Sequence, residues 1–215
     1  MTPAHRPAFT LMELLVVVSI LAVLAGLLIP AIASVKRMAH RTAAINGIKQ
    51  LGLSVSAYAM DEDGRLPGPL VTGNDITYWR GMSNLGLYLH TYFEEPAPPV
   101  APATGQLRTL RDRARESAGF KTQFVRNERY YPQGRRIGTP IDPCGSPGRG
   151  TYPIPLNSIN QPSENIFLQD SSLENYAPGT DIPAKAFHGR YVTLYYDGHV
   201  ETMVQRFQAF YYGSY

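Results

Sequence analysis

One carboxylate, Glu13, stands at the head of a stretch otherwise suited to lipid, "RPAFTLMELLVVVSILAVLAGLLIP", residues 6–30. An acidic group at the centre of a membrane helix costs on the order of 3 kcal/mol, so such a residue is a functional candidate by default and requires a partner. The bland alternative is that Glu13 snorkels to the headgroups near the helix start, at much lower cost. Other groups able to do chemistry are sparse. Cys144 is the sole cysteine, which excludes an intramolecular disulfide and a multi-cysteine zinc site; its setting, "DPCGSPG", reads as a turn rather than an electropositive nucleophile site. Asp61, Glu62 and Asp63 invite a calcium reading. An EF-hand loop with its glycine at Gly64 requires an aspartate at 59 and a glutamate at 70, where this chain has Ala59 and Leu70. His188, Asp197 and His199 could supply metal ligands, but two of them would leave adjacent strand ends with nothing to make them converge, and His90, among Tyr88, Leu89 and Tyr92, reads as a packed or surface histidine. Trp79, beside Tyr78 and Arg80, could stack on a sugar, but a core anchor is the commoner fate of a lone tryptophan. No catalytic signature, cofactor site or metal site is expected.

The element that must carry Glu13 is a helix. Residues 14–35 include no charged side chain, and 22 positions at about 1.5 Å each span roughly 33 Å, enough for a hydrocarbon core of about 30 Å. The run is apolar all round except for Ser19 and Gly26, whereas a helix on a soluble surface shows a polar face. A cleaved secretory leader is the rival, with "AIAS" at 31–34 as its cut site, but the run outlasts a usual apolar core and continues into strongly helical sequence. Pro30 should kink or locally melt the helix. Beyond it, Ile32, Val35, Ala39, Thr42, Ile45, Ile48, Gly52, Val55 and Ala59 recur at steps of three or four, with Lys36, Arg37, His40, Arg41 and Lys49 mostly on other faces. An amphipathic stem therefore follows the span and ends near Gly64 and Pro67.

At 215 residues the chain has room for one ordinary globular head beside the span. With 44% apolar residues a core is attainable, while 19 glycines and 18 prolines limit long regular structure. The net charge of +3, spread along the chain, gives no nucleic-acid footprint. In the middle, "YWRGMSNLGLYLHTYF" suits a short helix or strand, "EEPAPPVAPATG" a Pro-rich loop and "LRTLRDRARESAGF" a short basic helix. The clearest local signal is "RYVTLYYDGHVETMV", two β-rich runs around Asp197-Gly198 that predict a hairpin with a two-residue type I′ turn. That turn would put Tyr191, Thr193, Tyr195, Val200, Thr202 and Val204 on one face, against the stem. "NIFLQD", 165–170, is expected as a third strand, and 151–156 as another.

"AFTLMELLVVVSILAVLAGLLIP" resembles the N-terminus of type IV pilins and type II secretion pseudopilins: a short leader, a small residue, Phe-Thr-Leu-x-Glu and an apolar helix, with Phe9, Thr10, Leu11, Glu13 and Pro30 at the matching spacing. The resemblance implies that a prepilin peptidase cuts between Ala8, where the family usually has Gly, and Phe9, whose new amino group is methylated. It also implies that Glu13 pairs with the N-terminal amine of a neighbouring subunit, and that Pro30 lies where packed helices loosen in a filament. The stem end resembles that of pseudopilin-like proteins, and "IDPCGSPGRGTYPI" resembles the Asp-Pro-Trp-Gly-x-x-Tyr segment of major pseudopilins with Cys144 in the Trp position. "FHGRYVTLYYDGHV" resembles a prepilin-like C-terminal motif of a His followed by Asp-Gly, here with eight residues between His188 and Asp197.

The resulting expectation is an α+β, type IV pilin-like fold: leader 1–8, membrane half 9–35, stem 36–61 and periplasmic head 62–215. The basic residues after the span oppose a cytoplasmic N-terminus by loop charge, yet the leader is meaningful only on that side and long domains translocate largely regardless of charge. The implied function is a non-enzymatic subunit of a type II secretion pseudopilus in the bacterial inner membrane. Its implied partners are prepilin peptidase, other pilin or pseudopilin subunits and an assembly platform. A type IV pilus subunit is the nearest alternative, and a membrane-tethered periplasmic sugar-binding or enzymatic domain the alternative of another class.

Overall fold

The apolar run and the amphipathic stem form one helix, α1 (Leu11–Asp61). The structure, a computed structural model, describes residues 10–71, 73–111, 116, 123–126, 142–171 and 191–203. The chain divides into two compact units, Met1–Ala39 and His40–Tyr215. In the first unit the large apolar side chains of α1 are exposed from Leu11 to Val35, and the helix is long and apolar enough to cross a membrane. Of the kink or local melting expected at Pro30, melting does not occur: helical residues continue on both sides. Pro30 lacks one N–H, and the good helix formers Leu27, Leu28, Ala31 and Ala33 sustain the surrounding turns.

In the second unit the stem buries Ala44, Ile48, Leu51, Val55 and Ala59, at steps of four, three, four and four. This corrects the expected stripe: Thr42 is exposed, Ile45 is half-buried, and Leu51, absent from the expectation, is fully buried. A large aliphatic side chain gains more from burial than a threonine does, so the face centres on Leu51.

A five-stranded antiparallel sheet packs on this stripe in the order β1 (Gly73–Asp75), β4 (Gln123–Arg126), β5 (Ile166–Ser171), β6 (Tyr191–Tyr195) and β7 (Val200–Met203). β2 (Thr77–Tyr78) and β3 (Gly105–Gln106) pair separately. Between them lie α2 (Leu85–Leu89), capped by the Asn84 side chain accepting from Leu87 N–H at 3.2 Å, and a 3-10 turn, His90–Phe93. "NIFLQD" is thus a strand, and the central one, with β4 and β6 on its two sides. The 151–156 segment is not a strand; it makes a single bridge, Arg65↔Pro155. Pro153 and Pro155 remove alternate donors, leaving Ile154 N–H to Pro143 O at 2.8 Å and Leu156 N–H to Gly64 O at 2.7 Å. Of the expected basic helix, Arg108–Leu110 forms a 3-10 turn, and most of the rest lies outside the described residues.

The hairpin exists, with a register one residue from that expected. Leu194 pairs with Val200, Thr193 with Glu201 and Val192 with Thr202. Of Asp197 and Gly198 only Gly198 takes a positive φ, +85°, and its N–H donates to Tyr195 O at 3.0 Å, so the loop has three residues, 196–198. The reason is Tyr196. Its ring is buried against Phe167 at 5.2 Å and its N–H donates to Asn165 O at 3.1 Å, which withdraws it from the β6–β7 ladder. Consequently Val192 and Leu194, rather than Tyr191, Thr193 and Tyr195, share the core with the stem, together with Phe124 and Leu168. Val200 and Thr202 do lie on the stem side, and Val204 lies outside the described residues. Stem and hairpin approach closely at Gly52: a Cβ there would lie 2.9 Å from Leu194 Cδ1 and 3.2 Å from Gly198 Cα.

Candidate functional site

Helix α1 opens at Thr10. Its N–H and hydroxyl both donate to Glu13 Oε2, at 2.9 and 2.8 Å, and its hydroxyl accepts from Glu13 N–H at 3.2 Å. The sequence Thr-Leu-Met-Glu is therefore a capping box, in which an N-terminal threonine and a glutamate three residues on satisfy each other's first-turn donors. The T-x-x-E spacing was the available signal; the sequence reading singled out Glu13 alone. An acid in the first turn also sits at the positive end of the helix dipole. Glu13 is thus held within its own chain while it heads an uncharged, outward-facing apolar run. Ala8 and Phe9, the expected cleavage pair, lie outside the described residues, and Pro30 sits within the continuous helix.

The remaining candidates are in the second unit and do not converge on one point. Asp197 accepts from His199 N–H at 3.0 Å and lies 2.6 Å from His199 Nδ1. Burial pushes the Asp197 carboxyl up, but the His199 hydrogen bonds outweigh it and hold it below its ordinary value. The His199 ring stacks on Tyr195 at 4.0 Å. His188 lies outside the described residues, and no group of three metal-ligating side chains occurs among the described ones. Asp61 accepts from Tyr92 OH at 2.6 Å, and that bond, which keeps the phenol proton in place, raises Tyr92 to about 12. The acidic triplet therefore ends the stem, with Asp61 tied to the turn after α2. His90 stacks on the buried Tyr78 at 5.7 Å, and Trp79 is half-buried.

Asp142, Pro143, Cys144 and Gly145 are all buried. The loop is fixed by Leu70 N–H to Gly145 O at 3.2 Å, by Ile154 N–H to Pro143 O, and by an ion pair between Asp142 and Arg126 on β4, both at most 6% exposed. Arg126 also donates to Leu70 O at 2.8 Å. Sequence reading missed Arg126 because its partner lies 16 residues away with no local pattern between them. Burial pushes the Cys144 thiol up to about 12, against the pull of the nearby Arg126 cation, which makes it a poor nucleophile. A groove of about 590 Å³ runs beside the stem end, lined by Ala59, Met60, Leu156, Ile159, Tyr196 and Asp197 among others. Among the described residues its lining holds one carboxylate, Asp197, and is mainly apolar.

Residues 4–29 match the family model of the prokaryotic N-terminal methylation motif. No curated protein and no solved structure matches the chain. The matched stretch contains Ala8, Phe9 and Glu13, and such a motif implies processing by prepilin peptidase and pilin-like assembly. With one long apolar N-terminal helix, fit for inner-membrane anchorage, and small antiparallel sheets, the chain has an α+β arrangement consistent with a pilin-like fold and carries a prepilin-type N-terminal methylation motif.

Proposed function

We propose that the chain is a non-enzymatic structural subunit of a type II secretion pseudopilus, with residues 1–8 cytoplasmic and the 62–215 head periplasmic. Cleavage between Ala8 and Phe9 creates the amine that Glu13 of a neighbouring copy pairs with. Subunits added at the membrane extend the filament, and the motor and platform are separate proteins. The observation that carries the reading is a carboxylate fixed at the tip of an outward-facing apolar helix inside a prepilin motif. The secretion role is supported by the buried 142–145 loop, which resembles the Asp-Pro-Trp-Gly segment of major pseudopilins, and by the single cysteine, which leaves no head disulfide. A minor pilin is the second reading, supported by the same motif.

Glu13→Ala is expected to insert normally and to give sheared filament yields reduced at least tenfold; normal filaments from that variant would remove the pairing role. In the native host, deletion of the chain should block release of exported proteins and leave surface pili unchanged. Loss of pili with normal export would transfer the chain to the pilus reading.

A further inference from the structure

The end of the stem has a second face. Leu53, Ser56, Ala57 and Met60 recur at i, i+3, i+4 and i+7, on the side of α1 opposite the buried stripe from Ala44 to Ala59. Leu53 is 71% exposed and Met60 85%, and Met60 and Ser56 also line the groove of about 590 Å³, together with Leu156, Ile159 and Tyr196. Single exposed apolar side chains are ordinary, but a stripe that runs into an apolar groove is a surface suited to a partner. Its edge is acidic. Asp197 lies in the lining, and the exposed Glu62 and Asp63 stand between two lining residues, Met60 and Gly64. The neighbouring cation, Arg65, donates to Pro153 O at 3.2 Å. A groove of this kind takes a helix with apolar side chains at i, i+3 and i+4 and with cations beside them. The start of the stem has that pattern. Val35, Met38 and Ala39 are exposed, the first two at 65% each, Lys36 and Arg37 stand among them in sequence, and no acid occurs between Glu13 and Asp61. Val100 and Tyr152 are exposed as well, but each stands alone in an irregular segment. We propose that the groove is a docking site for a second copy of the chain, and that its occupant is the stem start of that copy, residues 35–39, with Lys36 facing the acidic edge at Glu62 and Asp63. The inference rests on the filament reading, which supplies the second copy, and adds a contact separate from the pairing of Glu13.

The test is a charge exchange in the full chain, with sheared filaments measured in a host with active prepilin peptidase. Lys36→Glu and Glu62→Lys each turn attraction into repulsion at an exposed pair and should lower filament yield about fivefold. The double variant restores the pair in reverse and should recover, which loss of folding in either single variant would not allow. If the unaltered chain makes filaments and both single variants assemble like it, or the double variant stays as low as the singles, the docking is overturned and the filament reading stands. If the unaltered chain makes none, the filament reading fails and the docking with it. A second measurement reads the apolar contact. Filaments of a variant with both Met38→Cys and Met60→Cys are treated with a short bis-maleimide, for which the fully buried Cys144 does not compete. Covalent dimers are expected from the double variant and from neither single variant. Their absence from the double variant, or equal amounts from a single one, would overturn the proposal. So would a product that joins Met60→Cys to a different protein, because the groove would then have another occupant.

Discussion

Cys144 is fully buried, and its pKa is raised to about 12 by that burial, with Arg126 pulling it down and Asp142 pushing it up. At pH 8 such a thiol is almost wholly protonated, so native chain should react with a thiol reagent at least a hundredfold more slowly than urea-unfolded chain; equal rates would place the sulfur at the surface. The Arg126–Asp142 pair behind it is buried on both sides, and removing one partner leaves the other charge uncompensated. Asp142→Asn should therefore lower stability by roughly 3–5 kcal/mol, read by urea unfolding of detergent-solubilised chain, whereas Arg126→Met combined with Asp142→Leu should cost less than either change alone. At this scale sequence reading reached what is locally abnormal. Glu13 stood out because it is charged in an apolar run. Arg126 did not, because a buried arginine is defined by what folds over it.

Elements were legible where periodicity is strong. Helix α1, the β5 strand and the presence of a hairpin follow from apolar spacing and from Asp197-Gly198. The register did not follow, because a two-residue and a three-residue loop share the same Asp-Gly signature, and the choice depends on whether Tyr196 is buried. One residue of slip exchanges the two faces of β6. The same tertiary preference moved the stem stripe onto Leu51. The contact at Gly52 gives a test of the observed register: Gly52→Ala places a methyl against Leu194 and the Gly198 backbone, and should cost roughly 1–3 kcal/mol in urea unfolding. In the expected register Leu194 would face away from the stem, and the substitution would be nearly neutral or stabilising, since alanine favours a helix.

For the whole molecule, the two clearest titrations act in the same direction. Cys144 rises from 9.0 and Tyr92 from 10.0, each to about 12 in the folded chain. Both groups bind their protons more tightly when folded, so their contribution to stability is full below the unfolded values and is lost as pH rises from about 9 to about 12. The melting temperature should decline across that window, and Tyr92→Phe should flatten the upper part of the decline. A melting curve unchanged between pH 9 and 12 would contradict the burial of the thiol and the Tyr92–Asp61 bond.

The resemblance to prepilin-type proteins rests on residues 4–29, and the processing that this motif implies would change the covalent mass of the chain. The most direct test is the intact mass of the chain extracted from membranes of a host with active prepilin peptidase. Loss of residues 1–8 together with the gain of one methyl group on Phe9 is the expected result. A mass corresponding to all 215 residues would contradict the account.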